Sequence, residues 1–175
     1  LPDFQATGRL AAQHLLEHGH QHFACFARKD RSLACLRRGF AGRVKENGYS
    51  CSDFHVPWEC DYEESSWRDL YKALRRWIKS LPLPVGVLTH CDVLSRYLAE
   101  ACRDEQIHVP DEVAIVAIEA SPYMCTASEP TITSIDPGFE RVGEVAAELL
   151  EDLMNGAAPP KDPILTPPNG VVPRQ

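Results

Sequence analysis

Val109-Pro110-Asp111-Glu112-Val113-Ala114-Ile115-Val116-Ala117-Ile118-Glu119 decides the fold. A turn at His108-Val109-Pro110 launches the apolar run from Val113 to Ile118, and the run ends on the carboxylate of Glu119. An unbroken Val/Ile/Ala run bounded by turn residues is the pattern of a strand buried on both faces, as in a parallel sheet. Its last residue then lies at the strand's C-terminal end, the edge where open α/β sheets bind ligands. Upstream, Val85-Gly86-Val87-Leu88-Thr89-His90-Cys91-Asp92 repeats the arrangement. Two strands each deliver an acid to one edge, which points to a cleft for a polar small molecule.

Working outward, strands alternate with helical periods. Residues 4–18 read as a helix with Asp3 as N-cap, an apolar side of Ala11, Ala12, Leu15 and Leu16, and Gly19 just past its end. His22 to Ala27 reads as a strand. Ser32 is placed to cap a helix carrying Leu33, Leu36, Phe40 and Val44, ended by Asn47-Gly48. Asp53 to Val56 is a short strand stopped by Pro57. Trp67, Leu70, Tyr71, Leu74, Trp77, Ile78 and Leu81 recur at helical spacing over 62–80. Further helices are expected at 92–106 and 137–154, with a long loop at 119–131 and a brief strand at 132–135. Extended pieces at 163–166 and 171–172 finish the chain. This is the β-α-β rhythm of a parallel sheet with helices on both faces and right-handed crossovers.

The chain has 175 residues, enough for one domain, or for one and a piece, with a real core. Its net charge of −7 argues against a nucleic-acid surface here, because phosphate neutralisation needs a basic patch. No apolar run approaches the roughly 18 residues of a membrane span. No signal peptide is visible, and the abrupt start at Leu1-Pro2 without Met suggests that an N-terminal segment is missing. The seven cysteines are odd in number and irregularly spaced, and no C-x-x-C occurs. Reduced thiols in a cytoplasmic protein are the reading that follows.

His14-Leu15-Leu16-Glu17-His18 matches an inverted zinc-peptidase pattern, with His20 and His22 close behind. A helix stop before a strand explains the same residues, and no metal or cofactor is expected. Asp92 is the better candidate. A carboxylate just past a buried strand can accept two hydrogen bonds from adjacent hydroxyls of a polyol; it can equally cap its helix. Glu119 shares that edge, as a ligand group or as a solvated loop residue. Arg28, with Lys29, Asp30 and Arg31, follows the first strand and could reach the same cleft. Trp58 and Tyr62 sit in the loop after the second strand, where an aromatic could stack on a sugar ring; Trp67 and Trp77 belong to the core. There is no nucleophile elbow, phosphate loop or dinucleotide fingerprint, so no catalytic residue is assigned.

Taken in order, the residues resemble the effector-binding domain of lac-repressor/GalR-type regulators, which share the fold of type I periplasmic sugar-binding proteins. The series includes Gly8, Ala12, Leu15-Leu16, Gly19-His20, Phe23-Ala24, Arg38-Gly39-Phe40, Gly48-Tyr49, Pro84-Val85-Gly86-Val87, Asp92, Val109-Pro110-Asp111-Glu112-Val113, Pro130, Gly143, Leu149-Leu150 and Gly156. A closer resemblance is to the bacterial xylose-operon regulators. It is carried by Trp77-Ile78-Lys79-Ser80-Leu81-Pro82, by Cys125 before Glu129-Pro130-Thr131-Ile132-Thr133-Ser134-Ile135, and by the ending Pro163 to Gln175.

The resemblance implies a truncated α/β effector domain spanning 1–175. Residues 22–132 and 160–175 would form mainly the C-terminal lobe, and the helices within 1–21 and 133–156 would belong to the N-terminal lobe. Both helices would then show uncovered apolar faces. A helix-turn-helix DNA-binding domain would lie beyond Gln175. The implied partners are a sugar effector such as D-xylose, DNA through that separate domain, a second copy in a homodimer, and no membrane. Asp92 matches the family's sugar-binding aspartate. The family's Gly-x-Asp at the next strand end is here Ala117-Ile118-Glu119, and its sugar-gripping arginine is replaced by Leu36, which leaves Arg37 beside it as the candidate ligand-binding arginine. Two other classes stay open. A periplasmic transport-type binding protein would carry a signal peptide and no helix-turn-helix. A sugar-processing enzyme using Asp92 and Glu119 would turn over a glycoside.

Overall fold

The computed structural model describes residues 1–28, 33–56 and 64–174. Asp3 opens the first helix, α1 (Phe4–Glu17), as its Oδ1 accepts the Ala6 N–H at 2.9 Å, and Gly19 follows its end at φ +82°. Asp3→Ala should lower stability by about 1 kcal/mol in urea unfolding, the usual worth of an N-cap. The chain continues through β1 (His22–Arg28), α2 (Ala34–Glu46), β2 (Cys51–Val56), α3 (Glu64–Ser80) and β3 (Val85–Thr89). Then come α4 (Asp92–Asp104), β4 (Val113–Ile118), α5 (Pro122–Thr126), β5 (Thr133–Asp136), α6 (Phe139–Met154) and β6 (Gly170–Val172).

The strands form one sheet in the order β2-β1-β3-β4-β5-β6; the first five are parallel, and β6 runs antiparallel to β5. The expected parallel sheet with helices on both faces is present. The apolar runs of β3 and β4 are buried throughout, as a doubly covered sheet requires. Their alternation splits the core in two. Val85, Val87, Val113, Ile115 and Ala117 face α3 and α4, where Leu74, Ile78, Leu94 and Leu98 meet Phe26. Leu88, Ala114, Val116 and Ile118 face the α1 side, where Leu15, Phe40 and Val44 meet Phe23. Trp67 stacks on Tyr97 at 4.7 Å between α3 and α4, and Trp77 packs on Phe54 at 5.1 Å, so both tryptophans line the core.

The helices α1 and α2 touch backbone to backbone. A Cβ on Gly8 would lie 2.0 Å from the Leu36 carbonyl oxygen, and one on Gly39 would lie 2.0 Å from that of Gln5. Only glycine lets two helices approach so closely.

Three local expectations are corrected, and a fourth falls outside the described residues. The loop at 119–131 contains α5, a short helix started by Pro122. The piece at 163–166 forms only a single bridge, Pro2 to Thr166, rather than a strand. The α2 cap expected at Ser32 lies outside the described residues; Leu33 stands at the N-cap with no side-chain bond. The apolar face of α1 is covered, with Ala11, Ala12 and Leu15 buried against α2 and the sheet. By contrast, α6 contains no buried residue, and Phe139, Leu150 and Met154 stand open, Met154 at 80% exposure.

The chain's crossings run side by side at the sheet's C-terminal edge. Asp3 N–H donates to the Thr166 carbonyl at 2.8 Å, and Thr166 N–H to that of Leu1 at 2.9 Å. Asn169 N–H donates to the Asp136 carbonyl at 2.9 Å, and Asp136 Oδ1 accepts the Gly138 N–H at 2.9 Å, where the chain leaves for α6.

Candidate functional site

Both acids that end the two central strands meet at one edge. β3 and β4 are paired in parallel register, so Asp92 and Glu119 emerge side by side. The Asp92 N–H, in the first turn of α4, points to Glu119 Oε2 at 3.4 Å. That places Glu119 over a helix N-terminus, where negative charge is favoured. Glu119 and Ala120 hold φ values of 110° and 57°. Non-glycine residues in this region are strained, and such strain concentrates at binding sites.

The Asp92 side chain does not cap its own helix. Cys91 is the N-cap residue, and Asp92 is the first residue of α4. Its Oδ2 instead accepts the Ser121 N–H at 2.9 Å, tying the start of α4 to the start of α5. The residue is 1% exposed, and Oδ1 is buried with no hydrogen-bond partner. An acceptor left open in this way is costly, and it is the kind of group a hydroxyl-bearing ligand would satisfy. Burial raises the Asp92 carboxyl above its ordinary range, against the opposing help of the Ser121 N–H. Burial likewise raises Glu119, and the Asp92 charge adds to it.

Arg28 ends β1 on the same edge, and its N–H donates to His90 Nδ1 at 3.2 Å. His90 was missed as a site residue. Its signal was its position, a polar ring one residue beyond a buried strand and two before Asp92. Arg37 is placed elsewhere. It grips Asp53 of β2 with two hydrogen bonds, one at 2.6 Å, and β1 lies between β2 and β3. The guanidinium is raised further above its ordinary value by the Asp53 hydrogen bond, so it is spent on that pair. Trp58 lies outside the described residues, as do Lys29, Asp30, Arg31 and Tyr62.

The histidines of the H-x-x-E-H stretch lie away from the edge that carries Asp92 and Glu119. His18 Nδ1 lies 2.7 Å from the His14 carbonyl, to which it donates. With His20 and Asp111 they line a cavity of about 340 Å³ at the opposite, N-terminal edge of the strands. Among the described residues, no three His, Cys, Asp or Glu side chains are arranged to hold a metal. Cys25, Cys35, Cys51, Cys91, Cys102 and Cys125 are all free thiols. No described helix is long and apolar enough to cross a membrane.

Comparison with known proteins gives a consistent picture. The family model described as periplasmic binding protein-like domain matches residues 12–175. The xylose operon regulatory protein of Haemophilus influenzae is 29% identical over 171 residues, which cover 95% of this chain and 43% of that protein. The protein of the same name from Escherichia coli K12 is 26% identical over 110 residues, 63% of this chain and 28% of that one. The transcriptional repressor PurR of Aliivibrio fischeri is 27% identical over 149 residues, covering 82% and 42%. The chain thus spans less than half the length of these relatives. Among solved structures, the xylose-binding transcription activator XylR superposes with a TM-score of 0.83 at 25% identity, over 99% of this chain and 46% of that one. A periplasmic binding protein/LacI regulator from Alkaliphilus metalliredigens in complex with D-xylulofuranose gives 0.80 at 16% identity, over 99% and 63%.

Proposed function

The chain belongs to the periplasmic binding protein-like domain family, and from that premise we propose that it is the sugar-sensing domain of a transcription regulator of the xylose-operon type. The observation that carries the reading is the pair Asp92 and Glu119, brought to one sheet edge in a chain of which 99% superposes on a xylose-binding activator. Asp92 Oδ1 and the Glu119 carboxylate would accept hydroxyl hydrogens of a pentose, and Arg28 and His90 would frame the same edge. Arg37, committed to Asp53, would act on the ligand only indirectly, by fixing α2 against β2.

The mechanism follows from the open edge and from α6. Its uncovered face of Phe139, Leu150 and Met154 would pack into a second lobe, and the sugar would be held between the two lobes. A sugar that touches both lobes binds the closed form better and shifts the population by that difference in affinity. In a cytoplasmic homodimer, closure would reset the spacing of DNA-binding domains outside this chain. The test is calorimetry of the full-length protein with D-xylose: binding without turnover is the expected result, and no heat with any pentose would remove the reading.

The carboxylates also set a pH dependence. Hydroxyl donors favour the ionised acids, whose pKa values in the folded protein are raised. Affinity should therefore be full near neutrality and fall as pH drops through those raised values. The fall begins above the point, about pH 4, at which an exposed carboxylate would protonate. Calorimetry between pH 4 and 8 reads this directly (a range set by ordinary carboxyl titration). A flat profile would place the sugar elsewhere.

A further inference from the structure

We propose that the ligand of this edge is a cationic sugar, a polyhydroxy molecule whose ammonium group is held by the carboxylates of Asp92 and Glu119. The inference rests on the sugar-sensing reading and names the ligand class within it.

Two crossed hydrogen bonds lock these acids together. The Asp92 N–H donates to Glu119 Oε2 at 3.4 Å, and the Ser121 N–H donates to Asp92 Oδ2 at 2.9 Å. Each carboxylate thus holds a backbone N–H of the other's loop with one oxygen. The first bond brings the Glu119 charge to the very residue that carries the second acid. Asp92 is 1% exposed and its Oδ1 has no partner, whereas Glu119 is exposed. One negative charge faces the solvent, and the other is sealed beside it.

Charge separates a neutral ligand from a cationic one. An ionised acid is costly to bury unless a cation answers it. Arg28 ends β1 on this edge, so one strand brings a cation where two bring acids. Arg37 is committed to Asp53 on β2, and Leu36 beside it is apolar and 1% exposed. Burial, with the Asp92 charge added, raises Glu119 above its ordinary range, as befits two acids short of positive charge. Donor count points the same way. Ionised carboxylates only accept hydrogen bonds. A hydroxyl has one hydrogen to give, so it serves one acid and turns a lone pair toward the other. An ammonium has three hydrogens and no lone pair, so it serves both and cancels charge as it does so.

The test is calorimetry of the full-length protein near neutral pH. The probes are D-xylose and its monoamino derivatives, each with one hydroxyl replaced by an amine. At least one amine should bind about tenfold or more tighter than D-xylose, the low end of the effect of one opposite charge beside a carboxylate. Sodium chloride should narrow that gap, because it screens the charge and spares a neutral contact. Glu119→Gln should remove most of the gap. The salt series needs no variant and covers the case in which Glu119→Gln does not fold. An advantage lost in either experiment supports the proposal. One that survives both places the amine elsewhere and overturns it. D-xylose binding at least as tightly as every amine also overturns it, and leaves the sugar-sensing reading standing. Failure of D-xylose and of every amine to bind removes both.

Discussion

Gly39→Leu is expected to destabilise the domain by more than about 4 kcal/mol. The new Cβ would start 2.0 Å from the Gln5 carbonyl oxygen, a backbone atom that cannot rotate away. Relief requires α1 and α2 to separate by more than an ångström, and Ala11, Ala12, Leu15, Phe40 and Val44 all pack in the layer that would open. Overpacking alone costs about 1–3 kcal/mol, and opening that layer adds the cost of the lost contacts. A total above about 4 kcal/mol would consume much of the 5–15 kcal/mol by which a domain is stable. Gly42 is the internal control, since a Cβ there meets nothing within 4 Å and the residue lies inside the same helix. Gly42→Ala should stabilise by about 0.5–1 kcal/mol. Urea unfolding followed by circular dichroism checks both, and equal effects at the two positions would refute the close-approach argument.

Asp92→Ala in the full-length protein should weaken pentose binding by about tenfold at the least, and by about 10,000-fold if two hydrogen bonds are lost. Hydrogen bonds to a charged group are worth about 1.5–3 kcal/mol each, and a polyol can make one or two with this carboxylate. The substitution also frees the Ser121 N–H that Oδ2 holds, so some stability is lost along with affinity. Asp92→Asn separates the effects, because an amide oxygen can still accept from Ser121 while the charge is gone. It should keep the thermal midpoint near wild type and still lose at least tenfold in affinity, the value of about 1.4 kcal/mol. Wild-type affinity in Asp92→Ala would move the site to another part of the molecule.

The sequence carried most of the architecture because β3 and β4 are buried on both faces. Their apolar runs have only one comfortable environment, and their terminal acids mark its open edge. The Asp3 cap and the helical spacing of Trp67 to Ile78 are equally local signals. What was lost depends on tertiary choice. α5 is too short to show a period. The antiparallel return of β6 is set by which edge the chain meets, not by its own three residues. Arg37 reads as a candidate ligand residue until Asp53 is seen across from it. Arg174 follows β6 in a stretch with no periodic pattern, and only the fold shows that it reaches Ser134. His90 was legible from its position but was outshone by the acid two residues later.

The side-by-side crossings at 1–3, 136–138 and 164–169 have a mechanical consequence. Segments bonded edge to edge, as Asp3 is to Thr166 and Asp136 to Asn169, form a narrow ribbon. A ribbon flexes readily across its thin direction and resists shear in its plane, since shear would slide every hydrogen bond out of register together. For a body carried on α6, such a ribbon would favour a swing about a single axis, like a door on a leaf spring. A sliding or twisting motion would have to break the ribbon first.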